Sequence, residues 1–409
     1  MLQGGRHLGG EVPSNKERDR VLDRVYVDYP RTRCPEYFAG KKHTVTKEHV
    51  LAQMQFVNRK GSPGLPWAAL AKTKGELMDR HAPLLVEAVL QKLTLLQEVD
   101  LTDPKWEDPE ELVKAGLTGL VRLFAKNEPH KKAKLAEGRV RLISSVPIDD
   151  ELVERLLCNR QNEAEIENWT ECPSAPGIGL SQDEQSEKFY ASVKPFLNNL
   201  AEGDVRGWDF DVKWWMLLWD VMARIKLCGA APDSAFAKIL HARMWCLARK
   251  VFSTSDGRLF KQMVAGIMAS GSYLTSSTNS RMRVMLAYLF YALFAKAMGD
   301  DSLETFLENA REKYRTIGID MKMFRRCEND EFEFCSHKFS DGKAIPLNWA
   351  KALFRLLSSQ YDMTLLAQFC EDYRNSPEIE RCVSIIAGSG WVPVKLGKQN
   401  DEEGEEETW

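Results

Sequence analysis

Ala297-Met298-Gly299-Asp300-Asp301-Ser302 is the stretch on which the reading of this chain turns. Alone, Gly-Asp-Asp is a common turn, since Gly supplies positive φ and Asp tolerates a tight bend. Two upstream segments change its meaning. Asp204-Val205-Arg206-Gly207-Trp208-Asp209 holds two carboxylates with four residues between them. Ser270-Gly271-Ser272-Tyr273-Leu274-Thr275-Ser276-Ser277-Thr278-Asn279 has the form SGxxxTxxxN. The three in this order are far rarer by chance than any one of them.

Hard divalent cations bind carboxylate oxygens held at short range. Asp204 at the end of an expected strand and Asp300 in a hairpin turn form a sensible ligand pair, with Asp301 in support. Two such ions suit phosphoryl chemistry, one activating a hydroxyl and both stabilising an in-line transition state. The expected cofactor is Mg²⁺, with Mn²⁺ as a possible substitute. Taken singly, the acids read equally well as a solvated turn and a helix-flanking Asp. Ser270-Gly271 before a helix lets the backbone approach a ligand closely, and Thr275 and Asn279 then share one face. A Ser/Thr-rich cap describes the same segment but leaves Gly271, Thr275 and Asn279 together unexplained.

The chain has 409 residues, 44% apolar and 28% charged, which fits a folded globular protein. Its net charge of −3 misleads, because Asp401 to Glu407 carries six acids and no base. Without that segment 53 acids face 56 Lys and Arg, so a surface for any polyanion must come from local clustering of charge. Nine cysteines without a CxxC pair argue against a disulfide framework or a zinc ribbon and fit a reducing compartment. Met1 to Arg6 lacks the apolar run of a secretory leader. The longest apolar run, Val284 to Ala295, has 12 residues, too few to span a bilayer, and reads as part of a buried helix.

Residues 1–45 read as an extended arm with little regular structure. Helices are expected at 46–58, 76–99, 151–168, 213–226, 234–247 and 275–294, and within 303–318. Strands are expected at 120–124 and 140–144 around a basic stretch, at a segment ending on Asp204, and over 331–339. Asp256-Gly257 marks a hairpin between 252–255 and 259–263. The chain from 340 to about 373 reads as helical, and 398–409 as a disordered acidic tail. Trp214, Trp215 and Trp219 read as a buried helix face, leaving Trp208 as a candidate for base stacking.

The ordered motifs resemble motifs A, B and C of viral RNA-dependent RNA polymerases. Ala125-Lys126-Asn127-Glu128-Pro129, Gly138-Arg139-Val140-Arg141-Leu142-Ile143-Ser144-Ser145-Val146, Leu152-Val153-Glu154-Arg155 and Pro176-Gly177-Ile178-Gly179-Leu180-Ser181 sharpen the likeness to the polymerases of sobemoviruses, poleroviruses and barnaviruses. The family pattern has Lys-Asp-Glu where this chain has Lys126-Asn127-Glu128.

The resemblance implies an α+β right-hand fold with an antiparallel palm sheet. It implies an arm and fingers over 1–195, a palm over 196–340 with a fingers insertion near 228–264, and a thumb over 341–397. It implies that Asp209 and Asn279 read the ribose 2′-OH, and that Lys126, Arg139 and Arg141 of motif F meet the triphosphate. Ser62, Gly64 and Pro66 of motif G would line the template path. Lys322 of motif D, preferred over Lys313, would act as a general acid. Cys335 and His337 of motif E would lie at the primer grip.

The implied activity copies a positive-strand RNA virus genome from NTPs on a single-stranded template. Implied partners are template and nascent RNA, a genome-linked protein as a possible primer, and other viral replication proteins. The expected location is the host cytoplasm, with membrane-associated replication complexes reached through partners. The rivals are a catalytically idle RNA-binding scaffold, a metal-dependent phosphohydrolase and a reverse transcriptase-like enzyme. Asp209 in place of a bulky steric gate argues against the last.

Overall fold

The computed structural model describes residues 7–391 apart from 127, 130, 131, 139 and 181. Arg139, expected to meet the triphosphate, and the acidic tail lie outside those residues.

Around the three motifs the chain builds a four-stranded antiparallel sheet. Its spatial order is Ala295–Met298, Asp301–Thr305, Leu200–Val205, Met321–Arg326. Met298 pairs with Asp301, so Gly299 and Asp300 form the two-residue hairpin turn. Gly299 sits at φ 64 there, the left-handed region such a turn requires. Ala295–Met298 is rich in helix-favouring residues, yet it pairs as a strand, tertiary pairing overriding local preference. For the same reason the helix expected over 275–294 stops at Leu289, and Tyr291 and Leu293 are exposed.

Helices pack on one face of this sheet. Thr275–Leu289 lies at the centre and is buried from Ser277 to Leu289 on every side. Trp214–Cys228 packs directly on it, and Ile148–Glu167, Ala235–Leu247 and Lys74–Glu98 extend the same large apolar core. Trp215 and Trp219 belong to that core as expected, and so does Trp208, 3% exposed, which removes it as a base-stacking residue.

The central helix also buries charge. Arg281 contacts Asp220 and Glu165, and Arg283 contacts Glu304. Arg224 donates to Asp220 at 2.9 Å and to Ser277 at 2.8 Å. Tyr314 donates to Glu304 at 2.6 Å and accepts from Arg283 at 3.1 Å. Ion pairs this deep offset their desolvation cost only through close geometry and added hydrogen bonds; here they join four helices to the sheet, with Glu165 Oε2 and the Nε atoms of Arg281 and Arg283 left without partners.

A second sheet has the order Leu142–Ser145, Val121–Ala125, Val251–Ser253, Leu259–Lys261. It contains both expected pairs, including the hairpin at Asp256-Gly257, whose outer strands are antiparallel.

Three expectations are corrected. Residues 1–45 are not an irregular arm: Asn15–Asp28 is a helix, begun by a reciprocal Ser14–Glu17 capping box. Its Val21, Leu22 and Val25 reach the core, but so many charges flank them that the stripe is faint in sequence. Phe332–Phe334 and His337–Ser340 are two strands, not one, because Cys335 and Ser336 turn the chain at φ 49 and 60. The region after 340 is not wholly helical: Lys343–Pro346 completes that meander before the helices Trp349–Leu357, Met363–Asp372 and Ile379–Gly388. Among the described residues no helix is long and apolar enough to cross a membrane.

Arg281→Met strands Glu165 in the core without its cation. The expected loss of unfolding free energy is about 3–5 kcal/mol. Denaturant unfolding measures it, and a loss under about 1 kcal/mol would contradict the structural weight given to this network.

Candidate active site

Strand register brings the acids together. Leu200–Val205 runs antiparallel to Asp301–Thr305 with Gly203 opposite Ser302, which sets Asp204 against Asp301. Asp300 projects from the turn immediately before. On the other side Asp204 pairs with Met323 and Val205 with Met321, a bulge that leaves Lys322 as the extra residue. The Lys322 ammonium therefore reaches the Asp204 carboxylate, and the two form an ion pair.

The three acids repel one another. Burial, then Asp300 and Asp204, push the Asp301 carboxyl up to about 7. Burial and Asp204 also raise Asp300, against the pull of Lys322 and Arg141. Hard oxygen donors crowded in this way fit a divalent cation, which Asp204, Asp300 and Asp301 would hold. Among the described residues no three Asp, Glu, His or Cys side chains already close on one point as a finished metal shell.

Asp209 lies on the short helix Trp208–Asp211 that follows Asp204. Asn279, one turn into the central helix, donates from Nδ2 to Asp209 Oδ1 at 3.0 Å. The Asn279 side-chain oxygen is buried with no partner. An orphan acceptor beside a carboxylate suits a hydroxyl that can donate to it. Burial pushes Asp209 up to about 6, opposed by the Asn279 hydrogen bond and reinforced by Asp300.

The Gly271 loop meets the basic strand rather than open space. Gly271 N donates to Ser144 O at 3.0 Å, and a Cβ there would fall 2.3 Å from that oxygen. Ser144 N donates to Ser270 Oγ at 3.0 Å. The Thr275 hydroxyl donates to Ala269 O and Ser272 O at 2.7 and 2.9 Å, so it braces the loop. Ser280 accepts from Gly299 N at 3.0 Å and ties the helix to the acid turn.

Lys126 and Arg141 face each other across the mouth of the basic hairpin, Lys126 N donating to Arg141 O at 2.8 Å. Arg141 is near enough to lower both Asp209 and Asp300. The Ser62–Pro66 loop packs on Val146 and Pro147, just past the strand Leu142–Ser145, with Ile148 N donating to Pro63 O at 2.9 Å. Cys335 lies beside the acid turn: burial, then Asp301 and Asp300, push its thiol far up. His337 is held by the Cys335 carbonyl at 2.8 Å.

Several contributors had no signal in the sequence. Leu8 N donates to Asp211 at 3.1 Å, and Lys213 reaches Leu8 O at 2.6 Å, so the N-terminal segment braces the Asp209 helix from below. Buried Lys250 donates to Ile267 O at 2.5 Å beneath the same helix. Glu154 accepts from Ser272 and Tyr273 N at 2.8 and 2.9 Å and fixes the start of the Gly271 loop. Glu154 stands in a stretch that carries the family likeness, but its role here, like those of Leu8, Lys213 and Lys250, is visible only in three dimensions.

Comparison with known proteins gives a consistent answer. Residues 1–359 match the family model described as viral RNA-directed RNA-polymerase. The chain is 38% identical over 415 residues to the replicase polyprotein P2AB of Southern bean mosaic virus, covering 98% of this chain and 42% of that protein. It is 35% identical over 380 residues to protein P1-P2 of Turnip yellows virus, covering 87% of this chain and 35% of that one. It is 36% identical over 311 residues to the RNA-directed RNA polymerase of Mushroom bacilliform virus, covering 72% and 73%. The chain thus spans less than half of the polyproteins it matches. The solved structure of a Sicinivirus 3Dpol RNA dependent RNA polymerase superposes with a TM-score of 0.61 at 14% identity, over 94% of this chain and 84% of that one. That likeness shows the right-hand α+β fold.

The raised Asp209 carboxyl gives a pH signature. Between about pH 4 and 6 the folded chain keeps a proton that the unfolded chain has lost, so this group's contribution to stability falls as pH rises through that window. Asp209→Asn removes the penalty. Its melting temperature should exceed the parent's at about pH 8, and the gap should shrink as pH falls toward about 4. Calorimetry across that range checks it, and a gap that grows on acidification would contradict the assignment.

Proposed function

The chain belongs to the viral RNA-directed RNA polymerases, and from that premise we propose that it copies single-stranded RNA of a positive-strand virus into complementary RNA from NTPs. The observation that carries this reading is the strand register that sets Asp204 against Asp301 beside the Asp300 turn, with the Asp209–Asn279 pair behind them. Divalent metal use is general for the family. Mg²⁺ is the ion we assign to Asp204 and Asp300, with Asp301 in support and Mn²⁺ as an alternative. When bound, the metals supply activation of the 3′ hydroxyl and stabilisation of charge on the transferred phosphoryl group.

The chain's own residues supply the rest. Lys126 and Arg141 attract the triphosphate, joined by Arg139 from outside the described residues. The buried Asn279 oxygen accepts from the ribose 2′-OH while Asp209 holds the amide in place, which favours NTPs over dNTPs and argues against reverse transcription. Lys322, which pairs with Asp204, would give a proton to the leaving pyrophosphate. Ser62, Gly64 and Pro66 line the template path, and Cys335 and His337 support the primer end.

In this reading residues 1–195 are arm and fingers, 196–340 palm with an insertion near 228–264, and 341–397 thumb. A genome-linked protein and other viral replication proteins are the proposed partners, in the host cytoplasm and at membrane complexes reached through them.

The test is incorporation of labelled NTPs on an RNA template with Mg²⁺. Template-length product is expected from the parent, with a loss of about a thousandfold or more in Asp300→Ala. Asn279→Ala should lower the preference for NTP over dNTP by at least about tenfold. Equal activity of Asp300→Ala and the parent would sink the assignment.

A further inference from the structure

Four cations from two distant parts of the chain meet one carboxylate. Glu128 lies in the basic loop after the strand Val121–Ala125, and its side chain is only 4% exposed. Lys126 approaches it at 3.3 Å and Arg141 at 4.0 Å from the ends of the basic hairpin. Lys351 and Arg355, one turn apart on the helix Trp349–Leu357, approach at 3.1 and 2.5 Å. Burial alone would push the Glu128 carboxyl up, but Lys351 and Lys126 outweigh it and hold the group at about 2. The acid is therefore ionised at every working pH.

All four cations meet the same carboxylate, and their side chains are 35% to 66% exposed while the acid is covered. Planar guanidinium groups and ammonium groups gathered around one carboxylate form the donor set that also binds phosphate, which offers more charge and more acceptor oxygens than a carboxylate. No other ion pair in the described structure joins the basic loop to this helix.

We propose that Glu128 is an internal stand-in for phosphate: it latches the helix Trp349–Leu357 to the basic loop across the mouth of the site, and a ligand phosphate displaces it onto the same four cations. The proposal rests on the polymerase reading for the source of that phosphate, which is either the incoming triphosphate or the RNA backbone. In this account Lys351 and Arg355 are positioning residues that carry the far side of the site inward when phosphate arrives. Glu128 sets the threshold a phosphate must exceed.

The experiment measures equilibrium binding of tripolyphosphate and, separately, of a short single-stranded RNA to the full chain, without metal and without turnover. Glu128→Gln keeps the shape and removes the competing charge, so phosphate binding should tighten by about three- to tenfold. Lys351→Met with Arg355→Met should weaken it by a similar factor. A response with tripolyphosphate assigns the site to the nucleotide, and a response with RNA alone assigns it to the backbone. Hydrogen exchange supplies the control for folding: residues 349–357 should exchange faster in both variants without ligand, while the central helix Thr275–Leu289 keeps parental protection. Weaker or unchanged binding of both ligands by Glu128→Gln would overturn the proposal, as would parental affinity in the Lys351/Arg355 variant. Because no catalysis is measured, a failed latch and a failed polymerase assignment give different results.

Discussion

Everything at the site hangs from one buried helix whose charges have been paid for by partners on other elements. Thr275–Leu289 carries Arg281 and Arg283 at no measurable exposure, and each finds a carboxylate contributed by a different part of the chain. An unpaired guanidinium at that depth is intolerable, so the helix has one acceptable position relative to Glu165, Asp220 and Glu304. Fixing the helix fixes what it presents. Asn279 meets Asp209, Ser280 meets the backbone of the acid turn, and Arg283 holds the strand that begins with Asp301. The apolar core supplies the bulk of the driving force, and the ion pairs supply the registration.

The site itself is arranged in the opposite sense. There the structure places acids without enough cations, which raises Asp300, Asp301 and Asp209 from their ordinary range. Such crowding costs stability and gains a place where positive charge binds tightly. Lys322 and Arg141 offset part of the repulsion from the rim. At the basic hairpin four cations gather around Glu128 instead, and one of them, Arg141, also acts on Asp300. An acid cluster linked in this way to a cation cluster suits a substrate that is a polyanion carrying divalent ions.

The chemistry was legible in sequence where function demands a residue type at a fixed spacing. Asp204, Asp209, Asn279 and the Gly299 turn fall where the motifs indicated, because the turn needs a residue at positive φ and the strands need a set length. Secondary structure was legible where period and caps agree, as at Thr46 and Ser234. It failed where tertiary pairing decides. The helix expected over 275–294 stops at Leu289, because the chain beyond it must reach the strand Ala295–Met298, which pairs with Asp301–Thr305 despite its helical composition. Phe332 to Phe339 keeps an alternating pattern through a turn that only the backbone reveals. The buried arginines were invisible for a different reason: Arg281 and Glu165 lie 116 residues apart, and nothing local marks either as a core residue. Glu128 and Arg355, 227 apart, share that property.

The most direct measurement of the central claim is the position of bound metal. Crystals of the chain with an RNA template, a primer and a nonhydrolysable NTP, grown with Mn²⁺, would give anomalous scattering peaks from the ions. The account predicts ions coordinated by Asp204 and Asp300, with Lys322 displaced from Asp204 and the ribose hydroxyl beside Asn279. Ions seated on other acids, with Lys322 still on Asp204 while nucleotide is bound, would contradict it.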